Sequence, residues 1–186
     1  MQEIPAISDA GGPDARSYVF PLKPGEDAQF RKKMLAQATK AIQAELKQSS
    51  EQTARPASHA TKRTKAVAPT PDFQQVQLRF FDLSSSNQPL MVLEATAQLP
   101  NQPEPQHITL ITRQDINGDL HNALVNITDA SHLDAVAQMD MVDAVDADGD
   151  GRGELLFRET SDQGHAYSIY RVIGDQLYQL YESAPQ

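Results

Sequence analysis

From residue 73 to residue 186 the chain is a succession of short apolar runs with alternating character, cut at regular intervals by turn residues, and this pattern limits its fold more than any other feature. Runs rich in Val, Ile, Leu, Phe and Tyr lie at 73–82, 90–98, 107–114, 119–127, 139–145, 154–160, 165–173 and 176–182. Alternation with a period of two puts every second side chain on one face, as in a half-buried strand. Asn117-Gly118 and Gly174-Asp175, each between two such runs, are expected to close tight turns, because Gly and Asn tolerate the backbone angles such turns require.

The eight runs fall into two sets of four, and the sets are self-similar. Placing FDLSSSNQPLMVLEAT (81–96) over VDADGDGRGELLFRET (145–160) sets Asp82 on Asp146, Leu90 on Glu154, Leu93 on Phe157 and Thr96 on Thr160, at an offset of 64. The first copy then has a turn six residues longer. Beyond it HITLITRQDINGDL from 107 meets HAYSIYRVIGDQL from 165, with His107 on His165 and Arg113 on Arg171; a two-residue slip brings Gly118 onto Gly174. The expected fold is mainly β. Two four-stranded antiparallel repeat units, at about 76–127 and 139–182, form a small sandwich, a barrel-like pairing or a propeller fragment, since two blades do not close a propeller.

The residues before 73 have a different texture. Residues 1–25 read as a disordered or extended N-terminus. From 26 to 50, Phe30, Met34, Leu35, Ala38, Ala41, Ile42 and Leu46 recur at three and four, the spacing of an amphipathic helix, with Glu26 and Asp27 in its first turn. Residues 51–72, rich in Ala, Ser, Thr, Pro, Lys and Arg and without aromatics, read as a flexible basic linker that cannot bury enough apolar surface to offset the entropy of ordering it. Charge divides the same way. Residues 1–72 hold 11 Lys and Arg against 8 Asp and Glu, whereas residues 73–186 hold 5 against 17, within a formal net charge of −9. The acidic β part is expected to repel nucleic acid and to attract cations.

Within that acidic part, DADGDGRGELLF (146–157) concentrates four carboxylates in nine positions, more like charge than a strand connection needs. Calcium prefers six to eight oxygens, and a loop wraps it when alternate side chains point inward. Asp146, Asp148 and Asp150 stand at positions 1, 3 and 5, the peptide oxygen of Arg152 at position 7, and Glu154 at position 9, where it ligates directly or through water. Gly151 permits a sharp turn with positive φ. Position 12 is Phe157 and a strand-forming LLF follows, which excludes an EF-hand; magnesium, with its smaller octahedral shell, ranks second. The corresponding loop of the first copy has Asp82, Ser84, Ser86 and Leu90, and is expected not to hold an ion.

These residues, Asp146, Asp148, Asp150, Gly151 and Glu154, followed by Leu155, Leu156 and Phe157, resemble the D-x-D-x-D-G-x-x-[DE] loops of the FG-GAP and VCBS repeat families. The resemblance covers this dozen residues. It implies a strand-connecting calcium loop, usually in a β-propeller or related array.

No HExxH, GxSxG, P-loop or dinucleotide fingerprint is present, and the absence of cysteine excludes disulfides, thiolate metal sites and thiol nucleophiles. His107 and His165 are repeat-equivalent, which points to a structural place. His121 and His132 with Asp134 are a candidate metal or general-base group, Asp140 and Asp143 are candidate outer-shell groups, and Asn126-Ile127-Thr128 is a glycosylation sequon. The expected function is that of a noncatalytic calcium-stabilised module binding a protein or a glycan, with no nucleic acid and no membrane span. The alternative is an accessory domain of an extracytoplasmic hydrolase. MQEIPAISDAGG lacks the basic start and apolar stretch of a signal peptide, which taken literally means a cytoplasmic chain. The calcium loop argues for an extracytoplasmic setting, with Met1 not the native start or the chain a fragment.

Overall fold

The computed structural model describes residues 17–53, 69–100 and 102–186. Most of the expected linker, 54–68, and the first sixteen residues lie outside them. The protein is mainly β, with one helix, α1 (Glu26–Thr53), and eight strands: β1 (Asp72–Phe81), β2 (Leu90–Gln98), β3 (Gln106–Gln114), β4 (Leu120–Thr128), β5 (Gln138–Val145), β6 (Glu154–Ser161), β7 (Gly164–Ile173) and β8 (Gln176–Glu182). They form two four-stranded antiparallel sheets, β1-β2-β3-β4 and β5-β6-β7-β8, each a simple meander, in a sandwich-like arrangement rather than a closed barrel. Strand limits follow the alternating runs because each run ends where Gly, Asn, Asp or Pro interrupts the pleat.

The internal repeat is visible in the hydrogen-bond ladders. The β3–β4 ladder slips between Ile111 and Thr112, and the β7–β8 ladder slips between Ile169 and Tyr170, the positions that the repeat equates. His107 and His165 sit opposite Thr96 and Thr160, another equated pair, so these histidines occupy one structural place in both units.

The layers are α1, first sheet, second sheet. Met34, Ala38 and Ile42, spaced by four on α1, are fully buried against Met91, Leu93, Ala95, Ile108 and Leu110 of the first sheet. The small side chain of Ala38 lets the helix lie close to the strands, and Phe30 packs on Phe80 with ring centroids 5.5 Å apart. The opposite face of the first sheet, Phe81, Leu90, Val92 and Ile111, packs on Met139, Met141, Leu155 and Phe157 of the second. Because Leu93 is equivalent to Phe157 and Val92 to Leu156, the two units stack in the same sense, back of the first on front of the second. Side chains also seal the edge strand β5. Glu94 Oε1 accepts from Met141 N–H (2.6 Å), Arg79 donates to the carbonyls of Met141 and Val142, and Thr109 Oγ1 donates to the carbonyl of Met139 (2.6 Å). These bonds satisfy the β5 backbone groups that face away from β6, the side on which a bare edge pairs with foreign chains.

The extended segment before α1 joins this frame. Val19 bridges Phe81, and Asp82 N–H donates to the Tyr18 carbonyl at 2.8 Å. Among the described residues, no helix is long and apolar enough to cross a membrane.

Candidate metal centre

The β5–β6 connection is organised from its first residue. Asp146 follows the last residue of β5, and its two oxygens accept from Gly149 N–H (2.8 Å) and Gly151 N–H (2.9 Å), folding the chain around the carboxylate. Gly149 and Gly151 take φ of 78° and 83°, which is the left-handed conformation anticipated for Gly151. Two further bonds, Asp150 N–H to Asp148 Oδ1 (3.3 Å) and Arg152 N–H to Asp150 Oδ1 (2.8 Å), turn the remaining aspartates about the same centre. Glu154, the first residue of β6, is fully buried, and its Oε2 accepts from Ala147 N–H at 2.9 Å.

Oxygen atoms of Asp146, Asp148 and Glu154 lie within 4.8 Å of one another, a spacing that lets all three reach one hard cation. Asp150 stands beside this triad rather than in it, and Arg152 enters the loop through its N–H while its side chain is exposed. Three carboxylates so close together repel one another unless a positive charge stands among them.

The sequence pattern did not reveal the group that answers part of this repulsion. Arg171 of β7 reaches over the loop, its Nη2 2.6 Å from Glu154 Oε1, 2.7 Å from Asp148 Oδ2 and 3.3 Å from Asp150 Oδ2, while its Nε donates to Glu154 Oε1 at 2.9 Å. The guanidinium beside Asp148 holds that carboxyl below the usual range, and the hydrogen bonds to Glu154 and Asp148 push the Arg171 pKa further up. A signal for this contact existed. Arg113, equated with Arg171, pairs across β2–β3 with Leu90, equated with Glu154, so the hairpin register places Arg171 opposite Glu154.

The first-copy loop has the same frame. Asp82 oxygens accept from Ser86 N–H (2.9 Å) and Asn87 N–H (2.8 Å), and Ser85 and Asn87 take φ of 54° and 58°, at the positions equated with Gly149 and Gly151. Arg113, whose loop has Ser84, Ser86 and Leu90 where the second has Asp148, Asp150 and Glu154, pairs instead with Asp175 at 2.9 Å.

The other candidates separate. His121 is the second residue of β4 and pairs with Asp115 (3.2 Å), while His132 lies beyond the end of β4 and pairs with Asp129 (2.7 Å), so the strand keeps them apart. Hydrogen bonding from the Asp119 backbone leads the effects that lower the Asp115 pKa. Burial opposes ionisation of Asp129, yet Ser131 and His132 outweigh it and hold that carboxyl low, and Asp129 in turn raises His132. Ser131 Oγ and Asp129 Oδ1 both lie on Nδ1 of His132, at 3.1 and 2.7 Å, so this trio lacks the two-sided geometry of a hydrolytic triad. Asp140 pairs with Arg158 (3.1 Å) and Asp143 Oδ1 accepts from Ala144 N–H. The sequon lies on β4, where Asn126 Nδ2 donates to the Ala137 carbonyl and Thr128 is buried with its hydroxyl on the Val136 carbonyl.

Comparison of the chain with protein-family models, with curated proteins and with solved structures gave no match.

Proposed function

We propose that the β domain is a noncatalytic, calcium-stabilised repeat module of FG-GAP/VCBS type that binds a protein or carbohydrate partner outside the cytoplasm. The observation that carries the reading is the convergence of Asp146, Asp148 and Glu154 on one point within 4.8 Å, in a loop whose backbone is already turned around it. Arg171 offsets one of four negative charges, leaving a net attraction for a divalent ion. Each carboxylate oxygen has two lone pairs, so Asp148 and Glu154 keep acceptor capacity toward an ion while they hold the guanidinium. When bound, calcium supplies no reaction chemistry here; it neutralises the loop and ties β5 to β6. Arg171 then forms the outer wall and keeps the buried Glu154 paired from the other side.

Calorimetry and thermal melting of the full chain test this. A ligand that binds only the folded state adds about 2.7 kcal/mol at about 100 times Kd, a few degrees of midpoint for a chain of this size. Millimolar calcium should raise the midpoint and EDTA lower it, with magnesium at equal concentration doing less. The reading fails if wild-type protein binds no calcium at millimolar concentration.

A further inference from the structure

Residues 73–186 contain five basic side chains, all arginine, and three of them, Arg113, Arg152 and Arg171, line one cleft of about 290 Å³ between the two repeat loops. In a segment that carries 17 acidic residues against those five, this clustering requires an account. Arg171 is engaged by the acidic loop, and Arg113 by Asp175 through Nε and Nη2 and by Gln88 Oε1 through Nη1 at 3.4 Å. Arg152 differs: among the described residues its guanidinium has no partner, and its backbone is fixed. Arg152 N–H is held by Asp150, and the following Gly153 N–H donates to the Leu83 carbonyl at 2.7 Å. Gly153 is itself pressed against Leu83 and Tyr18, since a Cβ there would lie 2.9 Å from both. Ser84, Ser86 and Gln88 of the first loop line the same cleft, Ser86 Oγ donating to Asp82 at 3.4 Å and Gln88 Oε1 accepting from Arg113, which leaves the Gln88 NH2 group to donate. Leu83, Leu90 and Val172 supply an apolar floor.

We infer that this cleft binds a small sugar monocarboxylate, a uronate, with Arg152 and Arg113 on the carboxylate and Ser84, Ser86 and Gln88 on the hydroxyls. A guanidinium fork matches a carboxylate in two parallel hydrogen bonds. Hydroxyls and an amide suit the sugar hydroxyls, and the apolar floor suits the C–H face of the ring. A monoanion is favoured over a phosphate dianion because the surrounding acidic domain repels each added negative charge. The inference rests on the binding-module reading but not on calcium, so it is tested in EDTA as well as in calcium.

The test is an NMR titration of the full chain with D-glucuronate, D-glucose, D-glucose 6-phosphate and the peptide carboxylate acetyl-Ala-Ala. Glucuronate should shift the amides of Ser84, Gln88, Arg152 and Gly153 saturably, at least about tenfold more tightly than any of the other three. Arg152→Gln should weaken glucuronate at least about tenfold with an unchanged melting temperature, because the side chain it removes is exposed and unpaired; Arg158→Gln, on β6 and outside the cleft, should leave binding as in wild type. Binding of glucose equal to that of glucuronate, tighter binding of the phosphate or the peptide, shifts elsewhere in the molecule, or wild-type affinity in Arg152→Gln would each overturn the inference. Loss of glucuronate binding only in EDTA would also overturn it as stated, and absence of glucuronate binding beside intact calcium binding would leave the calcium reading standing.

Discussion

Two loops of this protein have left-handed turns at equated positions and opposite chemistry. In each, one aspartate at the end of a strand gathers two N–H groups three to five residues on, and two left-handed residues at equated positions bring the chain around. The β5–β6 loop then adds Asp148, Asp150 and Glu154, whereas the β1–β2 loop adds Ser84, Ser86 and Leu90. Loop shape is therefore held by position 1 and the left-handed residues, and charge by positions 3, 5 and 9. The first loop takes its shape with Asp82 as its one carboxylate, without counterparts of Asp148, Asp150 and Glu154.

The arginines sharpen the contrast most. Stranding a fully buried carboxylate costs about 3–5 kcal/mol, so Arg171→Leu, which leaves Glu154 facing Ala147 N–H alone, should lower urea stability by that order. Adding Glu154→Leu, which copies the first loop, should recover most of the loss. Equal destabilisation by the double variant would show that the two loops are not exchangeable at this position. Arg113→Gln, whose partner Asp175 is 46% exposed, should cost less than about 1 kcal/mol.

Backbone substitutions probe the shared frame at a smaller scale. Gly151→Ala places a Cβ at φ 83° and should cost about 1–2 kcal/mol, while Gly149→Ser, which reproduces Ser85, should be milder; thermal melts in EDTA measure both. Conversely, Asn87→Gly relieves a left-handed asparagine, with a gain under about 1 kcal/mol.

How much of this was readable from sequence differs between the parts. Strand positions came from alternation, and the repeat from Asp82/Asp146, His107/His165 and Arg113/Arg171, because period and turn chemistry are local. The helix stripe was readable, but whether the helix lay on the β domain or stood free was not, and the packing of Met34, Ala38 and Ile42 on the first sheet came from the structure. What alternation does not encode is contact between distant segments. Glu94 and Arg79 sealing β5, Gly153 held against Leu83 and Tyr18, and Arg171 closing the acidic loop all depend on how the sheets meet. The acidic loop was legible as a motif, whereas the arginine that pairs with it needed the hairpin register.

Acid titration separates the loops without mutation of either frame. Arg171 lowers the folded-state pKa of Asp148, so the stability this carboxylate contributes is full above its unfolded pKa and is lost as pH falls through the folded one. In EDTA, Arg171→Gln should weaken that loss below about pH 4, and Arg113→Gln should not. His132 runs the other way: its pKa is raised by Asp129, so its contribution is present below the unfolded value and fades as pH rises through the folded one. NMR titration should place its midpoint above 6.5, and Asp129→Asn should bring it down.

The account turns on one loop holding an ion and its twin holding none, and calcium stoichiometry by calorimetry tests that directly. Wild-type protein should bind one calcium per chain, Asp148→Ala should bind none, and Ser84→Ala should still bind one. No calcium bound by wild type at millimolar concentration, two bound per chain, or undiminished binding by Asp148→Ala would contradict it.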